Sequence, residues 1–104
     1  MPDPDDKPLR TQTAAGIAAL WDQFRPLVQS RVDLIDDHLS GRGDGDAVEV
    51  ARAAHNLAGA LGSYGRPEGS VLARRIEQAL LAGDADSLAQ AEDDVVKLRT
   101  IVET

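Results

Sequence analysis

The sequence predicts an all-α fold: an antiparallel four-helix bundle whose N-terminal helix is kinked or set apart. Three observations lead there. Apolar residues step by three or four positions through four successive segments, the period of a helix with one buried face. No segment shows the period-two alternation of a half-buried strand. Alanine and leucine dominate a hydrophobic content of 42%, with aromatics at only 3%, which suits helix packing better than a sheet. At 104 residues the chain can build one core but not a core plus a nucleotide-binding lobe.

Residues 1–10 hold three prolines and three aspartates with almost nothing apolar, and are expected to form a disordered tail ahead of a single domain over 11–104. From Thr13, one apolar face runs through Ile17, Leu20, Trp21, Phe24, Val28, Val32, Ile35 and Leu39. Pro26 interrupts it by removing a backbone donor and crowding the preceding turn, so a kink or a break is expected there. Ser40 to Asp46 reads as a loop, and Asp44 or Asp46 can cap the next helix. That helix runs to about Gly62, with Ala47, Val50, Ala51, Ala54, Leu57, Ala58 and Leu61 inward. Pro67 fits the first turn of a third helix whose core positions are Leu72, Ile76, Ala79 and Leu80. Gly83 to Asp86 stops it and caps a fourth, where Leu88, Ala91, Val95, Leu98 and Val102 recur.

Charge and composition exclude several functions. The net charge is −7, with eleven Lys and Arg scattered among eighteen acids, so no basic face is available for nucleic acid or an anionic membrane. There is no cysteine, hence no disulfide and no thiolate metal site. The apolar runs are too short to span a bilayer, and the N-terminus lacks the pattern of a secretory signal. The expectation is a cytoplasmic monomer without metal or cofactor.

The residue that stands out is His55. On a helical wheel it falls about 100° from the centre of the apolar face, at the edge of the stripe, near Arg52, Gly59 and Gly62. Gly59 lies one turn on, in a helix interior where glycine costs roughly 1 kcal/mol against alanine. A histidine at such a boundary can be amphipathic filler, and such a glycine can serve close helix packing. The pair also suits an imidazole that another protein must reach.

Residues 51–77 resemble the histidine phosphotransfer (HPt) domain, the phosphocarrier of multistep bacterial phosphorelays. The resemblance rests on His55, Leu57, Gly59, Gly65, Leu72 and Glu77 in that order. The run from His55 through Leu57-Ala58-Gly59 and Leu61-Gly62 to Tyr64-Gly65 looks like the branch found alongside receiver and diguanylate cyclase modules. The resemblance implies a carrier without catalytic activity of its own. It would accept and donate a phosphoryl group at His55, in exchange with a response-regulator receiver domain or a hybrid histidine kinase. The receiver would bring the aspartate, lysine and Mg²⁺. Arg52, Asn56, Gly59 and Gly62 would support the site. The chain departs from the pattern at Ala58 and Asn56, where many members carry lysine. Arg52 is expected to replace that charge in part, with Arg66, Arg74 and Arg75 as further candidates. The alternative is a helical adaptor that docks a receiver or kinase without carrying phosphate.

Other constellations are weaker. His38 follows Asp36 and Asp37, but consecutive helix residues do not share a face, so it reads as a cation at a negative helix end. Arg42-Gly43-Asp44 reads as loop chemistry, and Gly59, Gly62 and Gly65 do not form a phosphate loop. Asp36-Asp37 and Asp93-Asp94 read as solvated faces. Trp21 and Phe24 are expected in the core, or exposed as a docking aid.

Overall fold

Four helices make up the described residues: α1 Ala14–Leu39, α2 Ala47–Ser63, α3 Pro67–Ala82 and α4 Ala85–Glu103. They come from a computed structural model in which residues 14–43 and 45–103 are described. The tail expected over 1–10 and Asp44 of the loop lie outside the described residues. No strand occurs among the described residues. Helix α2 packs on α3, α3 on α4, and α1 against both α2 and α4, which closes a ring of four. Neighbours run antiparallel. Tyr64, just past the end of α2, meets Trp21 and Phe24 in the first half of α1. Gly69, at the start of α3, faces Leu61 near the end of α2 and Leu98 and Ile101 near the end of α4.

The core is drawn from the apolar stripes, whose outer members Ile17, Leu20, Phe24, Leu39, Ala47 and Leu88 are only half-buried. Val28, Val32 and Ile35 of α1, Val50, Ala54, Leu57 and Leu61 of α2, Leu72, Ile76 and Leu80 of α3, and Ala91, Val95, Leu98 and Val102 of α4 are all buried. Of the kink or break expected at Pro26, the break does not occur: α1 is one helix of 26 residues. An interior proline costs about 3 kcal/mol. Burying Trp21, Val28, Val32 and Ile35 in one stripe returns about 1.5–3 kcal/mol for each large side chain. Pro26 itself is exposed.

Short turns fix the register. Asp46, rather than the alternative Asp44, caps α2: its carboxylate accepts the Glu49 amide at 2.8 Å. Gly65 and Gly83 adopt φ of +74°, the left-handed conformation that ends α2 and α3 at little cost for glycine alone. Asp84 caps α4, accepting the Ser87 amide at 2.9 Å and hydroxyl at 2.7 Å. Those bonds hold its carboxyl below the usual range. His38 does more than sit at a helix end: its Nδ1 lies 3.0 Å from the Gly45 carbonyl and ties the loop to α1. Arg42 is paired with Asp37 at 3.2 Å, which accounts for it as loop chemistry.

Packing decides one open reading and revises another. Trp21 is buried and Phe24 half-buried against Tyr64, with ring centroids 6.0 Å and 5.8 Å away, and the Arg66 guanidinium lies 4.5 Å over Trp21. These aromatics weld the start of α1 to the α2–α3 turn and are not a docking aid. Asp94 is not on a solvated face, being only 1% exposed. Its carboxylate pairs with Arg75 at 3.2 Å and accepts from Gln90 at 3.4 Å. The wheel alone could not show this, because a long arginine from α3 reaches over to cover it.

Removing Arg75 leaves a buried carboxylate with one weak donor. Arg75→Ala should therefore lower stability by about 1–3 kcal/mol in urea unfolding. Arg74→Ala, at the exposed neighbouring position, should stay within about 0.5 kcal/mol of the parent. Equal stabilities for the two variants would show that the Arg75–Asp94 pair contributes nothing.

Candidate functional site: a histidine–glutamate pair between α2 and α3

Helix α2 turns a face of small residues toward α3. Ala51, Ala54 and Ala58 are buried there, so the two backbones approach closely. The Ser70 hydroxyl donates to the Ala58 carbonyl across the crossing at 2.8 Å, in a buried position. One turn back on α2 from Ala58 stands His55, and two turns on along α3 from Ser70 stands Glu77. Because the helices are antiparallel, those displacements carry both side chains in the same direction, and they meet.

The His55 Nδ1 lies 3.1 Å and 3.3 Å from the two Glu77 carboxylate oxygens. The imidazole is 70% exposed and the carboxylate only 23%. An ionised carboxylate has no hydrogen to give, so the proton between them belongs to Nδ1. In the neutral ring Nε2 then carries the lone pair. The arrangement presents a nucleophile whose tautomer and orientation are set by a partner from another helix.

Shallow depressions flank this pair. Ala58, Gly59, Arg74 and Gln78 line one together with His55 and Glu77. Val48, Ala51, Arg52 and Leu81 line the other with the same two residues. Val48 and Leu81 are each 60% exposed, so the second side is an open apolar surface beside the histidine.

The expected supporting residues divide. Gly59 is at the site: a Cβ built on it would meet no other atom within 4 Å, so it opens space beside the ring rather than letting helices touch. Arg52 lies on the apolar side of His55. Asn56 follows His55 on α2, is exposed, and lines neither depression. Gly62 sits apart from the ring, opposite Ser70, where its Cβ would lie 3.6 Å from the hydroxyl. Of the other arginines, Arg66 is stacked on Trp21 and Arg75 is paired with Asp94, whereas Arg74 lines the Gly59 depression. Glu77 stood in the sequence pattern without an assigned role. Its partner is 22 positions away, and only the α2–α3 register joins them. Gln78, Val48 and Leu81 gave no sequence signal beyond being exposed helix positions. Among the described residues no three His, Asp or Glu side chains gather as a metal site. No helix of the described chain is long and apolar enough to cross a membrane.

A family model described as Hpt domain matches residues 19–104. No curated protein and no solved structure matches the chain.

The open space at Gly59 makes a stability prediction. Gly59→Ala should raise stability by up to about 1 kcal/mol, because alanine favours the helix and its methyl group meets nothing. Urea or thermal unfolding would read it, and a loss of stability would mean the glycine serves the backbone rather than access.

Proposed function

The chain belongs to the Hpt domain family, whose members take part in phosphorelay histidine phosphotransfer, and we propose that His55 is the phosphoryl-accepting residue of a phosphocarrier. The observation that carries this reading is the exposed imidazole held through Nδ1 by Glu77. In the proposed step the Nε2 lone pair attacks the phosphorus of an aspartyl phosphate on a receiver domain. An N–P bond forms as the P–O bond breaks, and the bonding pair returns to the receiver's carboxylate. The ring gains positive charge, which the Glu77 carboxylate offsets at Nδ1. The reverse step passes the group to the next receiver aspartate or back to a hybrid kinase.

Such transfer needs mainly position and charge neutralisation, because the transition state is loose. The partner supplies its Mg²⁺ and lysine, so this domain acts as a carrier and not as an independent catalyst. Gly59 leaves room over the ring, Arg52 adds a cation three residues before His55, and Asn56 and Gly62 are peripheral supports. The apolar side formed by Val48 and Leu81 suits the partner's docking helix, and a monomer suffices.

The test is incubation with phosphorylated receiver domains and detection of acid-labile, base-stable phosphate on the chain. His55→Gln should abolish labelling, and Gly59→Leu should slow it roughly tenfold or more by filling the space over the ring. Labelling of the His55→Gln variant would move the site elsewhere. Binding to receivers with no labelling at all would favour the adaptor reading.

Glu77→Ala should slow transfer roughly tenfold, about the worth of one charge-assisted hydrogen bond. It should also shift the His55 tautomer away from Nδ1–H in ¹⁵N NMR. An unchanged tautomer and rate would remove Glu77 from the mechanism.

A further inference from the structure

The two sides of the His55–Glu77 pair differ in chemistry, and the difference assigns them different jobs. One side is apolar, with Val48, Ala51 and Leu81 beside Arg52. The other is polar, with Arg74 and Gln78 facing the open space at Gly59. A phosphoryl group carries two negative charges and up to three strong acceptor oxygens. It gains nothing from Val48 and Leu81, and it would occupy surface that an apolar docking helix could cover. On the Gly59 side it meets room, a guanidinium and a side-chain amide.

Resting on the phosphocarrier reading above, we infer that Arg74 of α3 binds the phosphoryl group carried by His55, taking the place of the lysine that Ala58 and Asn56 lack. Ala58 is buried in the α2–α3 crossing with its carbonyl bound to Ser70, so α2 offers no cation at that position. Arg74 reaches the same depression from the opposite helix. Among the described residues it forms no ion pair, unlike Arg75 next to it, which is held by Asp94. Its fork of donors is therefore available to phosphate oxygens. Gln78, one turn on from Arg74, can add an amide donor. Arg52, across the ring on the apolar side, contributes a longer-range field and a smaller effect.

Phosphoramidate, a small donor that needs no docking surface, isolates this role. Nε2 of His55 forms an N–P bond as the donor's own P–N bond breaks, and its ammonium nitrogen leaves as ammonia. Initial rates and the decay of the phosphohistidine signal in ³¹P NMR would be followed at low and high salt. Arg74→Ala should slow phosphorylation about three- to fivefold at low ionic strength, the range of an exposed charge interaction. It should also flatten the salt dependence, which a merely structural role would not do. Arg74→Lys should recover most of the rate, and Arg52→Ala should lose less than Arg74→Ala. Circular dichroism and urea unfolding of each variant confirm that the fold is kept. Equal rates and equal salt dependence for parent and Arg74→Ala, with His55 labelled in both, overturn the role of Arg74 and leave the phosphocarrier intact. Failure of the parent to be labelled at His55 by both phosphoramidate and phosphorylated receivers overturns the two together.

Discussion

The close antiparallel crossing of α2 on α3 is the constraint on which the rest of this molecule depends. It is made by alanines at 51, 54 and 58, which remove bulk, and by the buried Ser70–Ala58 hydrogen bond, which sets the register. A shift of one residue along either helix would rotate His55 or Glu77 by about 100° and part them. The histidine's chemistry thus rests on interior packing one turn away from it. Gly62 belongs to the same crossing, where a Cβ would come into contact with Ser70 at 3.6 Å.

The remaining helices support this crossing without touching the site. Helix α4 closes the far side of α3, with Gly69 admitting Leu98 and Ile101. Helix α1 closes α2 and α4, and its first half is held by the stack of Trp21, Phe24 and Tyr64. The basic residues follow the same division. Arg25, Arg42, Arg75 and Arg99 neutralise acids, and Arg66 covers Trp21. Arg99 is held between Asp33 and Asp36, whose carboxylates raise its pKa further. Arg52 and Arg74, the arginines beside His55, form no ion pair among the described residues. In a chain of net charge −7, these two arginines line the surface on either side of the exposed imidazole.

Much of this was legible from residue order. The stripes from Val28 to Ile35 and from Val50 to Leu61 name their own core, because burial of an apolar face follows directly from helical period. The turns after Ser63 and Ala82 are marked by glycines that the left-handed φ requires. His55 at the edge of its stripe, with a glycine one turn on, was visible as an unusual pair. Pro26 left a kink or a break open, and the helix runs through it unbroken, because the local cost of a proline says nothing of the stripe that spans it. Asp94 misled for a related reason: its cover comes from Arg75 on another helix.

By itself, the sequence determined the all-helical class, the inward faces, the glycines that end α2 and α3, and the histidine at the edge of its stripe. All of these are set within a few turns of one segment, by periodicity, propensity and turn chemistry. Tertiary structure alone decided which acid holds His55 and which side chains from α3 line the surface beside it. Those choices join residues as far apart as 55 and 77 through the register of two packed helices. Register is a property of the pair of faces in contact, summed over Ala51, Ala54, Ala58 and Ser70, and no single segment contains it.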